Sequence, residues 1–171
     1  MKFLGDVKQG KKKIAAGALL PHGIISSLRD GKDDKNEVTV LQWRRMVENL
    51  SAIGKLGNCF AICDVSGSMF GIPLDISIAL GLLVSDLSEE TWKGKLITFS
   101  NNPQLPIIQG DDLYSKMKSI ERMHWKLNTD FQKVFDRILE AAKKENITED
   151  QMIKRLFVFG DMEFDQASAC P

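Results

Sequence analysis

The stretch Asn58-Cys59-Phe60-Ala61-Ile62-Cys63-Asp64-Val65-Ser66-Gly67-Ser68-Met69-Phe70 decides how the chain is read. It opens with a short apolar run, Cys59 to Cys63, of the length expected for a strand buried on both faces. The run stops at Asp64, the chain turns through Gly67, and Ser66 and Ser68 follow the carboxylate at alternate positions. A buried helix pattern begins at Ile72. A strand that ends in Asp-x-Ser-x-Ser and feeds a helix gathers three oxygen ligands in one loop. That loop lies at the carboxyl end of a strand, where open α/β sheets bind ligands.

Carboxylate and hydroxyl oxygens suit a hard cation such as Mg²⁺ or Mn²⁺, and the loop holds no thiol or imidazole. A structural alternative uses the same residues: Asp64 caps the strand, and Ser66 or Ser68 caps the next helix. On this loop alone the two readings stand level.

Downstream, Ile72 to Leu87 is apolar on nearly every side, as for a helix packed against a sheet and further helices. Lys95 to Ser100 reads as a second strand. The turn Asn101-Asn102-Pro103 leads to a third, Leu105 to Gln109, and the short link predicts an antiparallel hairpin. Asp111 to Met123 is an amphipathic helix with Leu113, Met117 and Ile120 inward. His124 to Asn128 is a loop, and Thr129 opens another helix with Phe131, Val134, Phe135, Ile138 and Leu139 on its apolar face; Asn146 and Thr148 mark its end. A fourth strand, Leu156 to Gly160, is apolar throughout and so reads as central; it stops at Asp161, with Glu163 and Asp165 beyond.

Upstream, residues 1–57 read as a helical segment separate from the sheet. Ile14 to Leu20 is apolar and Pro21 breaks it, while Ile24, Ile25 and Leu28 continue a helical spacing. Arg29 to Asn36 is charged and reads as a linker. From Thr39, the residues Val40, Trp43, Val47 and Leu50 share one helical face, and Gly54 and Gly57 end the segment. The division is thus 1–57 helical and 58–171 α/β.

Composition narrows the classes. The chain has 171 residues, 43% of them hydrophobic, enough for one globular domain with an appendage. Its 23 basic and 23 acidic residues cancel, so overall charge argues for neither nucleic acid nor membrane. Lys2, Lys8, Lys11, Lys12 and Lys13 form the one basic run, which could touch phosphate or lie in solvent. The longest apolar run, Ile76 to Val84, is interrupted by Ser77 and Gly81 and is too short to span a bilayer. The N-terminus has no signal-peptide pattern. Three cysteines, an odd number, fit a reducing compartment, and Cys59 and Cys63, about 13 Å apart on a strand, do not pair. An intracellular, cytoplasmic or nuclear, protein is expected.

Two further oxygen ligands complete a pattern. Thr129 starts a helix, and Asp161 ends an apolar strand as Asp64 does. With the 58–63 and 156–160 strands adjacent in a mainly parallel sheet, both carboxylates enter one crevice. Each has a structural alternative: Thr129 with Gln132 fits a capping box, and Asp161 a strand-end turn. Taken jointly, Asp64, Ser66, Ser68, Thr129 and Asp161 favour a metal.

In these motifs the sequence resembles the von Willebrand factor A-type (vWA) domains with their metal-ion-dependent adhesion site (MIDAS). It is similar to the intracellular branch that includes the Ro autoantigen (TROVE-like), where the domain follows a helical-repeat module, and to a plant and viral family with that layout. The wording that carries the likeness is Trp-Lys-Gly-Lys-Leu-Ile-Thr-Phe-Ser at 92–100, Asn-Thr-Asp-Phe at 128–131, Phe-Val-Phe-Gly-Asp-Met-Glu-Phe-Asp at 157–165, and Gly-Lys-Lys-Lys-Ile-Ala-Ala-Gly-Ala-Leu-Leu-Pro-His at 10–22. The resemblance implies a Rossmann-like sheet with helices on both faces. It also implies that Ser66, Ser68 and Thr129 ligate Mg²⁺ directly or nearly so, that Asp64 and Asp161 act directly or through water, and that a partner's Asp or Glu supplies the last ligand. Such domains usually have six strands; this chain stops after the fourth, one of them antiparallel. The implied order leaves the 156–160 strand at an edge, open to a homodimer or a partner that completes the sheet.

The expected function is therefore a non-enzymatic, metal-dependent protein-interaction domain. An RNA-binding ribonucleoprotein component, on the Ro-like layout and the lysines at 2–13, is the alternative. A Mg²⁺-dependent phosphotransferase with Asp64 as nucleophile is a third reading, but Ser66 stands where its second acid belongs. A serine hydrolase lacks its elbow motif, and the only histidines, His22 and His124, stand in the appendage and in the loop before Thr129; no phosphate-binding glycine loop is present.

Overall fold

The computed structural model describes residues 19–31, 33–99, 103, 105–123 and 131–161, with residues 33–36 as backbone only. Among the described residues five α-helices and three strands follow one another as α1 (Pro21–Arg29), α2 (Asp33–Ile53), β1 (Cys59–Cys63), α3 (Ile72–Leu87), β2 (Ile97–Thr98), α4 (Leu113–Glu121), α5 (Phe131–Lys144) and β3 (Arg155–Phe159). The strands form a mixed α/β protein's parallel sheet in the order β2-β1-β3.

β1 is apolar at every position and buried at every position, because it lies mid-sheet with a helix layer on each face. Cys59, Ala61 and Cys63 point into one core with α3, α1, α2 and α4; Phe60 and Ile62 point into a second with Trp92, Ile97, Val134 and Ile138. This is the period-two alternation of a strand, with both faces covered. α3 is the helix expected from Ile72 to Leu87, and Gly81 within it lets the helix approach β1: a Cβ there would stand 2.2 Å from Cys63 Sγ. The buried Cys63 thiol is pushed up to about 12 by that burial.

The N-terminal helices pack directly on α3. Ile24, Ile25 and Leu28 are fully buried and share a core with Ile78 and Leu82. Trp43 donates from its indole nitrogen to Asp86 (3.1 Å), which also accepts from Lys116 of α4 (3.0 Å). Arg29 pairs with Asp75 on α3 and with Glu121 on α4 (2.8 Å), so one guanidinium joins three helices.

Several expectations are corrected. α2 begins at Asp33 rather than Thr39, so the stretch expected as a linker is largely helical; charged residues are adequate helix formers, and acidic ones favour the first turn. The antiparallel strand at 105–109 does not form: among the described residues only one antiparallel bridge, Lys95 to Ile107, joins that segment to the sheet side. Pro106 has no N–H to extend a ladder, and the Gln109 N–H is taken by Ser119 Oγ (3.0 Å). β3 is not central. Within the described sheet it pairs only with β1, and its residues from Leu156 to Phe159 are half-buried. On α5 the buried stripe is Val134, Ile138 and Ala142, spaced by one turn, whereas Phe135 and Leu139 stay 46% and 49% exposed. Among the described residues no helix is long and apolar enough to cross a membrane.

Candidate functional site

The chain leaves β1 through α3 to β2 on one side of it, and returns from β2 through α4 and α5 to β3 on its other side. The carboxyl ends of β1 and β3 are therefore the topological switch point, the place at which such sheets bind ligands. The register pairs Cys63 with Phe159, so Asp64 and Gly160 emerge side by side and Asp161 follows.

Asp64 is buried and held twice: its N–H donates to the Phe159 carbonyl (2.8 Å), and its Oδ1 accepts from the Ser66 N–H (2.8 Å). The second bond is an Asx-type turn that folds the loop back over the carboxylate. The loop then enters a single 3₁₀ turn at Gly67–Met69, which anchors buried Met69 and leaves both serines near the surface. Ser66 Oγ and Ser68 Oγ lie 2.9 Å apart, and Ser68 Oγ donates to Asp161 Oδ2 (2.7 Å). A hydrogen-bonded line of oxygens thus crosses from the β1 loop to the end of β3.

Four of the five residues singled out in the sequence, Asp64, Ser66, Ser68 and Asp161, therefore come together. Thr129 lies outside the described residues, as do His124 and the lysines at 2–13. Among the described residues no group of three or more His, Cys, Asp and Glu side chains is arranged to hold a metal. Half of the donors here are hydroxyls, and a donor set made only of oxygens, with two carboxylates among them, matches Mg²⁺ or Mn²⁺ rather than a softer ion.

Two supporting residues were not picked out as functional in the sequence. Gly160 packs against Asp64: a Cβ there would stand 3.1 Å from Asp64 Cβ and 3.3 Å from Oδ2. Ser77, fully buried on α3, donates from Oγ to the Phe159 carbonyl (3.2 Å), the same oxygen that accepts from Asp64. Its own carbonyl accepts from Cys63 Sγ (3.4 Å). α3 thus ties together the two strand ends that carry the carboxylates. The signal for Ser77 was its place as a polar break in the apolar run from Ile76 to Val84.

Fold and site together define a parallel α/β protein with a cluster of oxygen-bearing side chains at the carboxyl ends of two adjacent strands. The chain belongs to the family described as Domain of unknown function (DUF7788), whose model matches residues 58–170. Residues 1–56 match a second model, Domain of unknown function (DUF2828). An uncharacterised protein of Acanthamoeba polyphaga mimivirus is 33% identical over 165 residues, which is 96% of this chain and 29% of that protein; the chain thus spans under a third of this relative's length. No solved structure matches the chain.

Proposed function

We propose that the chain is a non-enzymatic interaction domain of the von Willebrand factor A type, in which Asp64, Ser66, Ser68, Thr129 and Asp161 hold Mg²⁺ or Mn²⁺ and a partner carboxylate completes the coordination. The observation that carries this is the bond from Ser68 Oγ to Asp161 Oδ2, made across 93 residues of sequence at the switch point of the sheet. A loop built only to cap its own strand and helix has no need of the far strand's carboxylate. When bound, the ion would supply positive charge that two carboxylates only balance formally, while fixed geometry and desolvation favour an added anionic ligand. Asp64 is oriented by the Ser66 N–H, and the serine hydroxyls can turn their lone pairs from each other toward an ion. In this reading residues 1–57 end a helical module, of which α1 and α2 buttress α3, and residues 58–171 form the interaction domain. The outer edge of β3 is a second contact, taken by a strand of a partner or of another copy.

Thermal melts test the reading. A ligand that binds only the folded state stabilises it by about 2.7 kcal/mol at a hundred times its Kd. Millimolar Mg²⁺ should raise the melting temperature over EDTA, and Asp64→Ala should abolish the rise. No rise in the wild type, or an equal rise in the variant, rejects the proposal.

A further inference from the structure

The loop that carries Ser66 and Ser68 does not fold its next large side chains inward. Met69 is buried beneath it, but Phe70 is 85% exposed, and Ile72, the first residue of α3, is 65% exposed. Ile76 lies one turn along the same side of α3 and is also exposed. Phe70 is two residues from Ser68, which places the two Cα atoms within about 7 Å.

The backbone that presents these side chains is fixed. The Met69 N–H donates to the Ser66 carbonyl (3.1 Å), the Phe70 N–H to Gly67 (3.2 Å), and the Asp75 N–H to Gly71 (3.2 Å). Gly71 has φ 92°, a conformation that glycine enters without strain and that Phe70 and Ile72 on either side need not share. The chain thus spends a constrained turn on holding two large apolar groups in water beside the oxygen cluster. Neither side chain belongs to the buried core, so the fold does not account for their type.

We infer that Phe70 and Ile72 form an apolar rim to the oxygen site, and that the site takes a protein segment bearing an Asp or Glu with a large apolar residue beside it. The inference rests on the metal reading above, since without a cation Asp64 and Asp161 would repel an acidic segment. Charge complementarity selects the acid through the ion; the rim selects its neighbour by removing apolar surface from water. A free carboxylate or phosphate would leave Phe70 and Ile72 without a role. A basic segment would pair with Asp64 and Asp161 directly and would compete with the ion.

The experiment uses the full chain and labelled heptapeptides read by fluorescence anisotropy, in millimolar Mg²⁺ and in EDTA. One peptide has a central Asp flanked by Leu, a second the same Asp flanked by Ser, a third Asn in place of Asp with Leu flanks, and a fourth Lys in that place. The Leu-flanked Asp peptide should bind about tenfold or more tighter than the Ser-flanked one, from burial of one large side chain. Its binding should need Mg²⁺ and be lost with Asn. Phe70→Ser and Ile72→Ser, both at exposed positions, should erase that preference and leave the Mg²⁺-induced rise in melting temperature unchanged. If the rise is present but the Leu-flanked peptide is not preferred, or the variants keep the preference, this inference falls and the metal reading stands. Tighter binding of the Lys peptide, or of any peptide in EDTA, overturns it as well. If Mg²⁺ has no effect on the wild type, the metal reading has failed and the inference goes with it.

Discussion

Replacing Gly160 with alanine tests how closely the two strand ends must be spaced. Gly160 sits between the last residue of β3 and Asp161, and an added Cβ would lie 3.1 Å from Asp64 Cβ and 3.3 Å from Oδ2. Ordinary contact is about 3.5–4.0 Å, so Asp64 would have to retreat by a few tenths of an ångström. It cannot do so freely, because its N–H is bonded to Phe159 and its Oδ1 to the Ser66 N–H. Overpacking costs about 1–3 kcal/mol, and loss of glycine's freedom in the unfolded chain returns about 0.4–1 kcal/mol. The expected net loss runs from nil to about 2.6 kcal/mol, or up to about 5–10 °C in melting temperature for a chain of this size. If the proposed site holds Mg²⁺, the larger effect falls on the ion. Mg²⁺ demands near-octahedral oxygens at about 2.0–2.1 Å, and disturbing a residue that orients a ligand typically weakens metal affinity about tenfold or more. At a Mg²⁺ concentration of a hundred times the wild-type Kd, stabilisation would fall from about 2.7 to about 1.4 kcal/mol. The Mg²⁺-induced rise in melting temperature should therefore roughly halve. Melts across a Mg²⁺ titration, each referred to the same protein in EDTA, separate the two effects. A titration curve for Gly160→Ala that superimposes on the wild type would refute the reasoning, because the distance from Asp64 to the end of β3 would then not matter to a bound ion.

Other outcomes follow from the packing. Gly81→Ala brings a Cβ to 2.2 Å from Cys63 Sγ and should destabilise by about 1–3 kcal/mol in urea unfolding, even though alanine favours the helix by about 1 kcal/mol. Adding Cys63→Ala should recover most of that loss, and a single variant as stable as the wild type would contradict the close approach of α3 to β1. Burial raises the Asp75 carboxyl against the opposing pull of Arg29. The folded state therefore holds this proton to higher pH than the unfolded chain does, and the contribution of Asp75 to stability falls as pH rises through the window above the ordinary carboxylate value. Asp75→Asn should flatten the dependence of melting temperature on pH in that window, and an unchanged slope counts against the assignment. With its thiol buried and pushed up to about 12, Cys63 should resist a thiol reagent at pH 8 in the native protein and react only on unfolding, as peptide mapping of the labelled site would show.

Much of the fold was legible because its signals are local. The buried strand Cys59–Cys63 and the helix Ile72–Leu87 appear with the bounds that their apolar patterns predict. The helix expected from Asp111 to Met123 forms as Leu113–Glu121, with Asp112 outside it as the cap that accepts from the Ser115 N–H (2.8 Å). Asn146, with φ 51°, closes α5 where its sequence marks an end. The misreadings arise where local pattern competes with something else. Pro106 denies the 105–109 segment a ladder, although its apolar residues after a short turn read as the second arm of a hairpin. Leu156 to Phe159 is as apolar as a central strand, yet β3 sits at the edge of the described sheet. Phe135 and Leu139 fit the apolar period of α5 but fall outside the narrower stripe that meets the sheet.

The sequence by itself determined the kind of element at most positions, and it determined that every donor in the loop after β1 is an oxygen. Both depend on residue type and on spacings of two to four residues, which a chain carries whatever its fold. Only the tertiary structure decided the order β2-β1-β3, and with it the meeting of Ser68 and Asp161. Those two residues are 93 apart in sequence, and no local periodicity reports on a contact of that range. The same holds for Gly160 and Ser77, whose roles come from the strand end each one touches and not from any motif in which they stand.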